Sequence, residues 1–79
     1  MQIMAEISYY PLSKDKYKEI IGNVIHSFSE FNLKITYTEM STIVIGKHGE
    51  VLKLIEFIIM NHFPENPSIL EVKFSNACF

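Results

Sequence analysis

Along this chain, apolar residues recur at every second position, then at every third and fourth, and the alternation repeats. In residues 2–10, Ile3, Ala5, Ile7 and Tyr9 share one face of an extended strand, and Met4, Glu6, Ser8 and Tyr10 share the other. Pro11 cannot donate to a ladder and closes the strand. Ser13 suits a helix N-cap, with Asp15 in the first turn. Tyr17, Ile20, Ile21, Val24, Ile25 and Phe28 then line one helical stripe, which leaves Lys14, Lys18, Asn23 and Glu30 off it. Asn32 suits the position just past the helix end. Residues 33–39 alternate again, with Leu33, Ile35 and Tyr37 against Lys34, Thr36 and Thr38. Residues 42–46 are β-branched up to Gly46 and apolar on both faces, which predicts a central strand. Residues 39–41 then form a tight turn. It holds neither Gly nor Pro, so it is predicted from the flanking strands alone. Residues 46–49, Gly-Lys-His-Gly, predict a second turn. A helix over residues 50–63 carries Val51, Leu54, Ile55, Ile58, Ile59 and His62 on its main stripe. Leu52, Phe57, Met60 and Phe63 widen its apolar surface past one face, and Pro64 stops it. A strand over residues 69–74 places Leu70, Val72 and Phe74 on one face and Glu71 and Lys73 on the other.

The predicted order is βαββαβ. With right-handed crossovers this is an α+β ferredoxin-like sandwich: a four-stranded antiparallel sheet, first and third strands central, with two helices on one face. Residues 1–79 read as one domain without repeats or linkers. Ile3, Ala5 and Ile7 fit the helix side better than Glu6, Ser8 and Tyr10 do. Glu6 therefore falls on the uncovered sheet face, where a partner subunit or ligand would dock.

Composition narrows the function. The chain has 79 residues, of which 48% are hydrophobic. A chain this short has little interior to hide them in, so exposed apolar surface and self-association as a dimer or tetramer are expected. The net charge is -2 and all seven basic residues are lysines. Without arginine there is no bidentate phosphate clamp and no basic footprint, which argues against nucleic acid as a partner. The same lack sets the chain apart from acylphosphatases, and RNA-recognition domains of this fold need an aromatic and basic strand signature that is missing. No segment is long enough to insert in a membrane, and no basic start followed by an apolar run suggests a leader. One cysteine, Cys78, makes no internal disulfide, so a cytoplasmic location is expected. His26, His48 and His62 are scattered, so neither a metal site nor a bound cofactor is predicted. His26 and His62 read as structural residues on or near helices, and His48 as a turn residue without a partner. Cys78 has no neighbouring base, and no acid–base pair is assembled, so an enzyme is not expected.

The stretch Ala5-Glu6-Ile7-Ser8-Tyr9-Tyr10-Pro11-Leu12 resembles the opening strand of the small YkoF-like thiamine-binding domains. So does the run from Leu33 through Tyr37, Met40 and Thr42 to Gly46 and a helix. The resemblance covers nearly the whole chain in order and spacing, through short motifs. Two positions depart from it: Ser41 stands where that family has glycine, and Ile45 where it has a glutamate before Gly46. No ligand contact of that glutamate carries over. The resemblance implies a non-enzymatic homo-oligomer that binds thiamine or its hydroxymethylpyrimidine part in salvage or transport.

The residues suit such a ligand on their own chemistry. Thiamine joins a cationic thiazolium to a flat aminopyrimidine. Glu6 offers a carboxylate for the exocyclic amine or the cation. Tyr9, Tyr10 and Tyr37 offer rings, and a cation over a ring face gains about 0.5–2 kcal/mol. Ser8, Thr36, Thr38, Ser41 and Thr42 offer hydroxyls, and Met40 an apolar wall. Structural roles stand beside these: Glu6 paired with Lys34 or Lys73 across strands, the tyrosines as packing, Ser41 as turn chemistry, the threonines as ordinary strand residues. An oligomeric regulatory or sensor module, binding another small effector or a protein partner, stays open as the alternative function.

Overall fold

The structure is a computed structural model that describes residues 1–77. Cys78 lies outside the described residues. The elements are β1 (Gln2–Pro11), α1 (Tyr17–Ser27), a 3-10 turn (Phe28–Glu30), β2 (Lys34–Tyr37), β3 (Thr42–Lys47), α2 (His48–Asn61) and β4 (Ser68–Ser75). The strands form one antiparallel sheet in the order β2-β3-β1-β4, so β1 and β3 are central, as the βαββαβ pattern predicts.

Register decides which side chains meet. Ala5 stands opposite Val44 and Ile7 opposite Thr42 and Val72, all on the helix side. Ala5, Ile7 and Val44 join Val24 and Phe28 of the first helical segment and Val51, Leu54 and Ile58 of α2 in one buried cluster. The uncovered face carries Met4, Glu6, Ser8 and Tyr10 of β1, opposite Ile43 and Ile45 of β3 and Ile69, Glu71 and Lys73 of β4. Large apolar side chains do stay exposed, among them Leu52, Met60, Ile69 and Phe74.

Several local predictions are corrected. Ser13 is not the N-cap: α1 begins at Tyr17 after Lys16, with Glu19 rather than Asp15 in its first turn. Residues 14–16 are bends, and the first helical bond runs from the Ile20 amide to the Lys16 carbonyl. Tyr17 is accordingly exposed rather than on the buried stripe. The segment 46–49 is not a turn, because β3 runs through Lys47 straight into α2 at His48. Gly46 there packs closely under Leu33. A Cβ on it would lie 2.5 Å from Leu33 Cδ2 and 3.4 Å from the Asn32 carbonyl oxygen. His48 does have a partner: its backbone N–H donates to the Met1 carbonyl at 2.9 Å. Asn32 is held by Glu50, whose carboxylate accepts its amide at 3.2 Å.

Candidate functional site

The site is built on a mismatch in strand length. β1 pairs with β3 only as far as Ile7, opposite Thr42, but continues beside β4 to Pro11, opposite Ser68. Along Ser8, Tyr9 and Tyr10 the sheet therefore lacks a neighbour on the β3 side. The β2–β3 turn hangs over one end of this notch and α1 closes one side. The resulting cleft encloses about 350 Å³, within the range of small-molecule sites. Ser8, Tyr9 and Tyr10 supply its β1 edge; Thr38, Glu39, Met40, Ser41 and Thr42 supply the turn. Ile21, Val24, Ile25 and Phe28 form an apolar wall.

The turn holds its shape without glycine. Thr38 Oγ1 accepts the Ser41 amide at 2.9 Å and the Met40 amide at 3.2 Å, and its hydroxyl donates to the Ser41 carbonyl at 2.9 Å. The Thr38 amide donates to the same carbonyl at 2.9 Å. One hydroxyl thus takes over the turn bonds that an Asn-Gly pair would otherwise arrange. Thr38→Ala should cost about 1 kcal/mol in a urea melt, and Thr38→Ser should restore most of it. Equal melts for the alanine and wild-type chains would show that the hydroxyl does not hold the turn.

Glu6 sits beside the cleft rather than in its lining. Ser41 Oγ donates to Glu6 Oε2 at 2.9 Å. Lys73 stands opposite Glu6 in register, and Lys34 lies two strands away, opposite Ile45. Neither makes an ion pair with it: among the described residues, the pair within 4.0 Å is Lys53 with Glu50, at 3.6 Å. A hydroxyl contact thus takes the place of the cross-strand ion pair open to Glu6. Its second oxygen is left for water or a ligand.

The other predicted residues separate by position. Tyr9 lines the cleft but is anchored from behind. Its hydroxyl is 2.6 Å from Ser68 Oγ, and its ring meets His62 edge-on at 6.5 Å. Tyr10 and Met40 are exposed at the mouth. Tyr37 is exposed opposite Thr42 on β2 and does not line the cleft. Thr36 falls on the uncovered face, opposite Ile43. The cavity therefore lies at the end of the sheet, under α1 and the turn, and not over the flat uncovered face. Glu39, Ile21 and Ile25 join the site without a sequence signal for it. Glu39 is marked only by its place in the turn. Ile21 and Ile25 look like core, because a helical stripe does not reveal where the sheet beneath it ends.

No helix among the described residues is long and apolar enough to cross a membrane. Among them, no group of three or more His, Cys, Asp or Glu is placed to hold a metal ion.

No protein-family model matches this chain, and no curated protein matches it. Solved structures do match. A candidate thiamine biosynthesis/salvage protein from Thermotoga maritima superposes with a TM-score of 0.88 at 16% identity, over 98% of this chain and 85% of that one. A Streptococcus pneumoniae protein gives 0.89 at 16% identity, over 100% and 90%. A hypothetical protein from Methanocaldococcus jannaschii gives 0.85 at 22% identity, over 98% and 81%. At these identities the likeness establishes the shared fold.

Proposed function

We propose that this chain is a non-enzymatic binder of thiamine or its hydroxymethylpyrimidine part, serving thiamine salvage or transport, and a small member of the YkoF-like family. The observation that carries this reading is the cleft at the end of β1. It joins an apolar wall from α1 to a polar rim of hydroxyls, with Glu39 in its lining and Glu6 one hydrogen bond away through Ser41. A flat, cationic ligand fits that division. The aminopyrimidine lies against Ile21, Ile25 and Phe28, and the carboxylates attract the thiazolium. The fold shared with a candidate thiamine biosynthesis/salvage protein supports the same reading. The cleft is lined by hydroxyls, the Glu39 carboxylate and apolar side chains, which supply contacts of the kind a small ligand needs.

Isothermal calorimetry and thermal melting with thiamine test this. Binding should release heat and raise the melting temperature, since saturation at a hundred times Kd adds about 2.7 kcal/mol to the native state. No heat and no shift at millimolar thiamine and hydroxymethylpyrimidine would overturn the proposal.

A further inference from the structure

The hydrogen bond between Ser41 and Glu6 has a direction that the protons around it decide. Ile43 stands opposite Glu6 in register. Ser41, two residues earlier on the same face, is the diagonal neighbour of Glu6, within reach of a long side chain. A serine hydroxyl has one proton and two lone pairs. Two oxygens compete for the Ser41 proton: Glu6 Oε2 at 2.9 Å and Thr38 Oγ1 at 3.3 Å. Thr38 Oγ1 already accepts the Met40 and Ser41 amides, and its own proton goes to the Ser41 carbonyl. Its lone pairs and its proton are all engaged. The Ser41 proton therefore goes to the carboxylate, in a charge-assisted bond. Ser41 lines the cleft, with Glu6 beside it, and what Ser41 Oγ has left for a ligand is lone pairs alone.

We propose that Ser41 Oγ is an acceptor for the exocyclic amine of the aminopyrimidine, and that Glu6 makes it one by holding its proton. This role rests on the thiamine reading and names an atom that selects within that class of ligand. An amine N–H placed against Ser41 meets a lone pair. A carbonyl oxygen in the same place meets lone pairs with its own, and both oxygens go unpaired beside an apolar wall. The negative charge of Glu6 also polarises the hydroxyl and strengthens it as an acceptor. A serine without that partner could turn its proton toward either kind of group and would not discriminate. Selection for the amine therefore belongs to the pair of residues, with Ser41 as the contact and Glu6 as its positioning residue.

Calorimetry with thiamine and with oxythiamine tests this, because oxythiamine keeps the thiazolium and carries a carbonyl oxygen in place of the amine. The wild-type chain should prefer thiamine by about tenfold or more. Ser41→Ala should bring the two affinities within about threefold of each other, by weakening thiamine and leaving oxythiamine nearly unchanged. Ser41→Thr keeps the hydroxyl and should keep the preference. Glu6→Gln should reduce the preference even with Ser41 in place, since a carboxamide can donate to the hydroxyl as well as accept from it. Circular dichroism melts of the same samples report whether each chain is folded. A loss of structure alone would weaken both ligands together, so the ratio of the two affinities separates contact from folding. A wild type that binds both ligands equally, a folded Ser41→Ala chain that keeps the preference, or a Ser41→Thr chain that loses it would each overturn the role of Ser41 and leave the thiamine reading standing. A Glu6→Gln chain with the wild-type preference would overturn the role of Glu6. A wild type that binds neither ligand at millimolar concentration would overturn the thiamine reading and this role with it.

Discussion

Phe28→Ala should lower the stability of this protein by about 3–5 kcal/mol, the usual loss for a buried aromatic ring. Phe28 is 1% exposed and is among the largest of the fully buried side chains. It stands where α1 gives way to the 3-10 turn and packs in the cluster with Ala5, Ile7, Val44 and Leu54. A domain of this size holds roughly 5–10 kcal/mol in total. The loss is therefore a large fraction, and the melting temperature should fall by on the order of 15–30 °C. The neighbouring Phe31 gives the contrast. It is only half-buried and meets Phe57 edge-on at 5.6 Å, so Phe31→Ala should cost clearly less. Urea and thermal melts of the two variants decide the matter. Equal losses would mean that the core is not centred where the burial places it. Because Phe28 also lines the cleft, a folded Phe28→Leu chain should bind ligand more weakly than its stability change alone explains.

The sheet and its helices are legible in the sequence because period two and period three-to-four are read over many residues at once. Ala5, Ile7, Val51, Leu54 and Ile58 each sit on the face their spacing predicts and are buried there. Junctions are less legible, because each depends on one or two contacts between distant residues. Gly46 looks like turn punctuation, yet it lies inside β3, where Leu33 packs over it. Ser13 is chemically a good cap, but the helix starts later, at Tyr17. The residues gathered at the cleft are visible by type: Ser8, Tyr9, Tyr10, Thr38, Met40, Ser41 and Thr42 all line it. What the sequence does not show is that β3 stops pairing at Thr42 while β1 runs on to Pro11, and this difference makes the cavity. Faces alone put a ligand on the uncovered sheet; register moves it to the sheet's end.

Glu6→Gln should weaken thiamine binding by about 10–100-fold while leaving the fold nearly as stable as before. A hydrogen bond to a charged partner contributes about 1.5–3 kcal/mol, against about 1 for a neutral one. Glutamine keeps the size of the side chain and an oxygen that can accept from Ser41, so the 2.9 Å contact survives. Glu6 is half-buried and makes no ion pair among the described residues, so the loss of its charge should change stability by no more than about 0.5 kcal/mol. Two ligands separate the roles of that charge. If the carboxylate accepts the exocyclic amine, affinity for thiamine and for uncharged hydroxymethylpyrimidine should fall together. If it acts on the thiazolium, only thiamine should weaken, and the difference should shrink as salt rises. Glu39→Gln is the matched comparison, since Glu39 lines the cleft from an exposed turn where solvent screens its charge, and its effect should be smaller. A wild-type chain that binds thiamine together with a Glu6→Gln chain that binds it equally well would remove Glu6 from the site and leave Glu39 as the carboxylate that meets the cation.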